Sequence, residues 1–257
     1  MNQLKIQATG LTHTGQVRSK NEDYFLLADL KRGKREELRE PLPLENGVLL
    51  IVADGMGGAA CGEVASEEAV KTIHEYVSST SLEAPEKVLG QSIQEAQQKL
   101  REIVDEHPEK SGMGTVVTAL LLTENGHHIV QVGDTRLYLL RDGELSQCTE
   151  DQSLVASLVK TGRITPEEAR YHPYRNQVTQ AIGASELIQP ELLQLEFQKD
   201  DRLLLCSDGL NGMIEDGEIK DVLTQIQDRM EACEKLIQLA NECGGTDNIT
   251  VILADLS

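Results

Sequence analysis

Three apolar runs in this sequence stop abruptly at an aspartate beside a glycine, and this pattern constrains the fold more than any other feature. Short runs rich in Val, Ile and Leu that end at turn residues are typical of buried β-strands. The runs and their ends are residues 48–53 before Asp54-Gly55, residues 203–206 before Ser207-Asp208-Gly209, and residues 129–132 before Gly133-Asp134. The sequence therefore predicts strands whose ends carry carboxylates.

Two more aspartates lie beside predicted strands. Asp23 precedes the run at residues 24–27, and Asp247 precedes the run at 249–254. Asp-Gly is common turn chemistry, and for any single site that interpretation stands as the alternative. Strand ends can converge, however, and several carboxylates in one cleft repel each other unless a cation neutralises them. Oxygen ligands without His or Cys select magnesium or manganese over zinc or copper, so the pattern as a whole indicates a divalent-metal site.

The predicted strands outnumber the predicted helices and do not alternate with them. Strands are predicted at residues 48–53, 115–123, 129–132, 136–140, 202–206 and 249–254, and helices at 63–77, 85–104, 214–227 and 231–243. Paired helices between runs of hairpin-linked strands favour α+β layers over a doubly wound sheet. We expect an α+β fold in which a central antiparallel β-sandwich is flanked by helices on its outer faces.

Three local patterns add detail. Asp142-Gly143 between two apolar runs predicts a hairpin with a type I′ turn. Thr165 followed by Pro166 and by Glu168 predicts the start of a helix with a capping box. Residues 31–46 are dense in charge and contain two prolines, which predicts an exposed loop.

Composition narrows the possible partners. The 257 residues carry a formal charge of −19, and such an acidic surface repels nucleic-acid phosphates and anionic lipid headgroups. The five cysteines are odd in number and never spaced as Cys-x-x-Cys, which argues against a disulfide framework or a structural zinc site. The N-terminus is too polar for a signal peptide, and no apolar stretch approaches the length of a membrane span. We expect a cytoplasmic monomer that binds neither nucleic acid nor membrane.

Six short motifs in order resemble the PPM (type 2C) protein phosphatases, and especially their bacterial single-domain members. The motifs are residues 15–23, 54–58, 112–115, 132–136, 207–210 and 245–251. Each is weak alone, but their order and spacing together are specific, and the match runs from about residue 9 to the end of the sequence. The resemblance implies one catalytic domain over residues 1–257, with a flap subdomain at about residues 151–183.

The resemblance also implies the chemistry. It identifies the chain as a protein serine/threonine phosphatase with two Mn²⁺ or Mg²⁺ ions and a third, weaker metal site, which uses a metal-bridging water. Asp54 would bridge both metals, the Gly55 carbonyl would bind the second, and Asp23 would act near them through water. Asp208 and Asp247 would complete the ligands of the first metal. Asp134, together with Asp208, would bind the third metal. Arg18 would hold the substrate phosphate. Phosphoproteins, including a Ser/Thr kinase or its targets, are the implied partners.

The chain departs from the family after the second motif. Many relatives carry a histidine there that serves as general acid, whereas this chain has Ala59-Ala60-Cys61. A metal-bound water could protonate the leaving alkoxide instead. Within the predicted flap, His172 could contact substrate or could have a structural role before Pro173.

Other enzyme classes fit poorly. Cysteine-dependent phosphatases need an arginine six positions after the cysteine, and none of the five cysteines has one. Residues 55–60 formally match Gly-x-Gly-x-x-Ala, but no second strand with an acidic end follows, which disfavours dinucleotide binding. The alternative that remains is a catalytically inactive member of the same fold that binds phosphoproteins.

Overall fold

The computed structural model describes residues 4–35, 37–57 and 61–257, which form twelve strands and seven α-helices. The strands are β1 (Lys5–His13), β2 (Asp23–Asp29), β3 (Gly33–Arg35), β4 (Glu37–Pro43), β5 (Val48–Met56), β6 (Gly114–Thr123), β7 (Gly126–Val132), β8 (Arg136–Arg141), β9 (Glu144–Gln147), β10 (Glu191–Leu195), β11 (Arg202–Cys206) and β12 (Ile249–Leu256). The helices are α1 (Gly62–Ser79), α2 (Pro85–Glu106), α3 (Leu154–Lys160), α4 (Pro166–Arg170), α5 (Asp208–Asn211), α6 (Asp216–Gln225) and α7 (Arg229–Glu242). Of these helices, none combines the length and the apolar character needed to cross a membrane.

The strands form two six-stranded sheets in which neighbouring strands are antiparallel. Sheet I has the order β4-β1-β12-β11-β8-β9, and sheet II has the order β10-β7-β6-β5-β2-β3. In sheet I the N-terminal strand β1 pairs with β12 over eight residue pairs, from Ile6 opposite Leu256 to His13 opposite Ile249. In sheet II the central pair is β5 with β6.

The two sheets pack face to face because alternate residues of each strand point to opposite sides. Leu50 and Val52 of β5 lie in the same buried cluster as Leu205 and Ile252 of sheet I. The intervening Leu49 points to the other side, toward α1 and α2. Burial of both faces explains why β5 is a continuous apolar run rather than an alternating one.

Helices cover both outer faces of the sandwich. Ile73 of α1 and Ile93 of α2 pack on sheet II, whereas Leu223 of α6 and Leu236 of α7 pack on sheet I beside Leu204. Each of these four helices presents its apolar residues at helical spacing, so one face is buried and the other is solvated. The predicted α+β fold, a β-sandwich with helices on both sides, is confirmed.

The predicted local patterns are also present. Asp142 and Gly143 have φ values of 52° and 77°, as a type I′ turn requires, and they join β8 to β9. Thr165 accepts a hydrogen bond from the Glu168 backbone, and the Glu168 side chain accepts one from the Thr165 backbone, so the capping box is formed. The six predicted strands and four predicted helices all occur, most of them extended by one to three residues.

The prediction of an exposed loop at residues 31–46 is wrong. This segment contains β3 and β4, and β4 pairs with β1 at the edge of sheet I, with Thr9 opposite Glu37. Leu38 and Leu44 are buried, and they anchor the segment despite its charge. The prolines are tolerated because an edge strand has one row of backbone groups that need no partner.

The segment at residues 151–183 leaves sheet I after β9 and contains the short helices α3 and α4. Its two ends are held together by a β-bridge between Ser153 and Val178, and Ile182 then bridges to Thr115 at the start of β6. His172 accepts a hydrogen bond from the Tyr174 backbone at 3.2 Å, which is a local structural role. The single catalytic domain and the flap subdomain remain predictions.

Candidate metal centre

All five aspartates predicted as metal ligands lie at one end of the sandwich. Asp23 begins β2 and is directly opposite Asp54 near the end of β5. Asp134 lies in the turn after β7, which belongs to the same sheet. Sheet I contributes Asp208, two residues after β11, and Asp247, two residues before β12. Because antiparallel neighbours alternate in direction, the start of one strand and the end of the next meet at the same end of a sheet.

Gly55 follows Asp54 within β5 and lies in a tightly packed position. Its backbone N–H donates to the Glu22 carbonyl at 3.1 Å. A Cβ atom at this position would lie only 2.2 Å from the Gly62 carbonyl oxygen and 2.5 Å from that of Glu22. Any residue larger than glycine would therefore push α1 or the start of β2 away from the centre.

Burial and mutual repulsion raise the pKa values of four of these carboxyl groups. Burial is the largest cause for Asp23, whose pKa rises to about 7, and for Asp208, whose pKa rises to about 6. The pKa values of Asp54 and Asp134 rise well above the usual range for the same reason, with repulsion from Asp208 as a further cause. Without a cation, these carboxyl groups resist ionisation. A bound cation would stabilise their charged form.

Two carboxylate oxygens in this group are buried and have no hydrogen-bond donor, namely Oδ1 of Asp23 and Oδ1 of Asp208. The other oxygen of Asp23 accepts a hydrogen bond from the Ser207 hydroxyl at 2.6 Å, which fixes the carboxylate plane. Buried polar atoms without a partner are rare in proteins and call for an explanation. Two unpaired anionic oxygens among five carboxylates fit a hard divalent cation.

Asp247 forms an ion pair with Arg18 and also repels the Asp208 carboxylate. The Arg18 guanidinium donates to Asp247 Oδ2 at 2.6 Å, and this hydrogen bond raises the pKa of Arg18. Among the residues that the structure describes, no three acidic, His or Cys side chains are gathered closely enough to hold a metal ion. Arg18 offsets part of the negative charge at this end of the sandwich.

Asp134 is buried and its turn is firmly supported. The Gln131 side chain donates to the carbonyl oxygens of Gly133 and Thr135 at 3.2 and 3.1 Å. The Gly133 N–H donates to the Gln152 side chain at 2.8 Å, which ties this turn to the start of the 151–183 segment. The position of Asp134 is therefore set by hydrogen bonds from two sides.

A cavity of about 850 Å³ opens beside Asp134, Asp208 and Asp247, between the 151–183 segment and α5 and α6. One wall is built by Arg136, which donates two hydrogen bonds to Asp151, at 2.8 and 2.6 Å. Such a bidentate pair is strong and directional, so it holds the base of the segment against β8. A cavity of this volume lies in the range of ligand-binding sites in proteins.

Sequence reasoning missed the residues that hold this centre together. Ser207 and Asn248 lie inside recognised motifs, next to Asp208 and Asp247, but no role was predicted for them. Their hydrogen-bond partners lie far away in sequence, as with Asn248 and the Glu22 backbone, and no local pattern reports them. Adjacency to a predicted ligand is the one signal that would have singled them out. Ala59 and Ala60, at the position of the missing histidine, lie outside the described residues.

Comparison with known proteins decides the family. A family model described as Protein phosphatase 2C matches residues 43–243. The chain belongs to the protein phosphatase 2C family. The prediction from the six motifs is thereby confirmed, and the five aspartates occupy the end of the sandwich that those motifs build.

Individual members of the family are similar over most of the chain. The chain is 41% identical over 208 residues to the serine/threonine protein phosphatase PstP of Mycobacterium tuberculosis, a match that covers 81% of this chain and 40% of that protein's length. It is 36% identical over 248 residues to the serine/threonine phosphatase stp of Listeria welshimeri, covering 95% and 93% of the two chains. The crystal structure of the PstP catalytic domain in complex with two manganese ions superposes with a TM-score of 0.84 at 36% identity, covering 98% of this chain and 99% of that one.

Proposed function

We propose that this protein phosphatase 2C member is an active metal-dependent enzyme that hydrolyses phosphoserine and phosphothreonine in other proteins. The observation that carries the proposal is the group of five aspartates with two unpartnered buried oxygens beside Arg18. The relatives named as serine/threonine phosphatases, and the manganese in one of their structures, support the same activity.

The roles proposed for the aspartates are those that the resemblance to the family implies. Asp54, Asp208 and Asp247 would hold one divalent cation, with Asp54 and the Gly55 carbonyl holding a second. Asp23, fixed by Ser207, would act through water, and Asp134 with Asp208 would hold a third, weaker ion. When bound, Mn²⁺ or Mg²⁺ supplies Lewis acidity and a nucleophile that is active at neutral pH. The carboxylates would hold the cations beside the cavity, where substrate could reach them.

Arg18 is the residue proposed to bind the substrate phosphate. Its side chain is 48% exposed, so it can exchange Asp247 for a phosphate without breaking into the core. A planar guanidinium donates two parallel hydrogen bonds to a phosphoryl group, which positions the ester for in-line attack. If Asp247 served as a metal ligand, the Arg18 charge would be available for the substrate phosphate.

Several finer assignments belong to the same proposal. The 151–183 segment would act as a flap beside the active site. A Ser/Thr kinase or its targets would be among the substrates, and the enzyme would act as a cytoplasmic monomer. All five cysteines lie in described parts of the chain and are unpaired, which agrees with a reducing compartment.

The test is hydrolysis of p-nitrophenyl phosphate and of a phosphothreonine peptide with manganese, with magnesium and with EDTA. We expect metal-dependent hydrolysis by the wild type and its loss in Asp208→Asn. The matched control is Asp221→Asn, which makes the same change on the exposed side of α6 and should retain activity. A folded wild-type protein without activity under any of these conditions would favour the alternative, an inactive phosphoprotein-binding module.

A further inference from the structure

The 14–22 loop, defined as residues 14–22 between β1 and β2, carries Arg18 near its middle and is poorly supported by packing. Residues 16–20 of this loop are all exposed, with Val17 at 67%. The ion pair from the loop to α1, between Lys20 and Glu63, has a separation of 3.6 Å and is exposed, so it contributes little to stability. The place of the Arg18 backbone is therefore set by hydrogen bonds to the loop backbone, at Gln16 and Val17 and at the two ends of the loop.

The Asn248 side chain holds both ends. Its Nδ2 donates to the carbonyl oxygens of Thr14 and Lys20 at 2.9 and 2.8 Å. Its Oδ1 accepts from the Glu22 N–H at 2.8 Å. Asn248 is only 4% exposed, so these three hydrogen bonds are protected from water. One carboxamide thus closes the 14–22 loop on either side of Arg18.

The same stretch of chain also places Asp247. The Asn248 backbone N–H donates to Asp247 Oδ1 at 2.9 Å. The 14–22 loop lies directly on this stretch, because Gly245 O accepts hydrogen bonds from the backbones of Gln16 and Val17 at 2.7 and 3.3 Å. Asn248 therefore contacts both sides of the Arg18–Asp247 ion pair: its side chain closes the loop that carries Arg18, and its backbone N–H binds Asp247.

We propose that Asn248 is a positioning residue that sets the place of Arg18 relative to the carboxylates and thereby tunes binding of the substrate phosphate. The inference rests on the proposed function, since Arg18 matters only if a phosphoryl group binds there. Asparagine suits this position because a primary amide offers two donors and one acceptor in a fixed plane. Aspartate lacks the donors, serine has only one, and glutamine is one methylene longer.

The test compares steady-state kinetics of the wild type, Asn248→Ala and Asn248→Asp with p-nitrophenyl phosphate in saturating manganese. We expect KM to rise about tenfold in both variants, with kcat changed by less than about threefold, because ground-state binding is lost. The concentration of inorganic phosphate that halves activity should rise by a similar factor. Asn248→Asp preserves volume and the acceptor for Glu22, so it carries the test if Asn248→Ala does not fold.

A double-mutant cycle separates positioning of Arg18 from a general structural effect. In an Arg18→Ala background, Asn248→Ala should raise KM by less than about twofold further, since residues that act through one contact are not additive. Gln97→Ala is the matched control. Like Asn248, Gln97 has a buried carboxamide that joins two backbone groups, here Gly183 N–H and Ser185 O. Both groups lie outside the loop that carries Arg18. The Gln97→Ala substitution should lower thermal stability and leave KM unchanged.

Unchanged KM and phosphate inhibition in folded Asn248 variants would overturn the inference while leaving the phosphatase proposal intact. An equal rise in KM with and without Arg18 would also overturn it, because Asn248 would then act elsewhere. Absence of metal-dependent hydrolysis in the wild type would instead refute the proposed function, and the inference with it.

Discussion

Asp208→Asn is expected to have opposite effects on stability and on activity. In the protein without metal, the Asp208 carboxylate has a buried oxygen with no donor and is repelled by Asp247. Replacing it by a neutral amide of the same shape removes that repulsion, and the new N–H₂ group can donate to Asp54. The variant should therefore be more stable than the wild type in EDTA, although it is the variant expected to abolish hydrolysis.

The magnitude follows from the pKa of Asp208, which rises from 3.8 to about 6 on folding. A shift of about two units corresponds to roughly 3 kcal/mol in favour of the protonated folded form. Asp208 is still partly accessible to water, so we expect about half of this, roughly 1–2 kcal/mol at pH 8. For a chain of this size that is an increase in Tm of about 2–8 °C.

The sign of the pH dependence is fixed by the direction of the shift. Since the folded state binds the Asp208 proton more tightly than the unfolded state, wild-type stability falls as pH rises from about 4 to about 6. The advantage of Asp208→Asn should therefore be complete above pH 7 and roughly halved at pH 5. Manganese at 100 times its Kd should stabilise the wild type by about 2.7 kcal/mol, and the variant by less.

Differential scanning calorimetry of both proteins, at pH 5 and pH 8, in EDTA and in manganese, measures each of these effects. Asp221→Asn is again the control, and its Tm should follow the wild type under all four conditions. A variant that is less stable than the wild type in EDTA at pH 8 would refute the reasoning. So would a difference that does not change with pH, because it could not come from the charge of Asp208.

Three further predictions concern packing and local structure. Gly15 has φ of 83°, and a Cβ atom there would lie 2.1 Å from the Asp247 carbonyl oxygen. Gly15→Ala should therefore lower the free energy of unfolding in urea by roughly 1–3 kcal/mol and weaken metal-dependent activity. Gly33→Ala, also at φ of 83° but with no atom within 4 Å, is its control and should cost less and leave activity unchanged. Leu205→Ala, between the sheets, should cost about 2–5 kcal/mol in guanidinium unfolding, and a cost below about 1 kcal/mol would argue against tight packing there. Thr165→Ala removes the capping box of α4 and should lower the local stability of this helix by about 1 kcal/mol. Limited proteolysis near residues 166–170 should therefore accelerate, while Tm stays unchanged.

The sequence predicted the elements whose periodicity is strong and local. The β5 strand is apolar throughout, α1 repeats its apolar residues at helical spacing, and Asp142-Gly143 encodes a turn in two residues. Each signal lies within the element that it predicts, so no tertiary information is needed. The carboxylate group was also predictable, because strand ends marked by Asp-Gly recur often enough to indicate convergence.

The edge of sheet I could not be predicted in the same way. Strand β4 is rich in charge and contains Pro41 and Pro43, and it forms because Leu38 is buried and β1 offers a free edge. Strand β1 itself was not predicted, since its mixed polar sequence becomes a strand only beside β12. The roles of Asn248 and Gln152 likewise depend on partners that adjoin them only in the folded chain.

The pairing of β1 with β12 has a consequence for how the protein folds. These strands are about 240 residues apart in sequence, yet β12 lies between β1 and β11 in the interior of sheet I. Closing so large a loop is entropically costly, and contacts of long sequence separation slow folding. Asp247 lies just before β12 and Arg18 lies shortly after β1. The end of the sandwich that carries the five aspartates can therefore form only when this slow pairing is complete. Recovery of hydrolysis during refolding should therefore lag behind the return of helical circular dichroism, since activity reports the last long-range pairing and helicity does not.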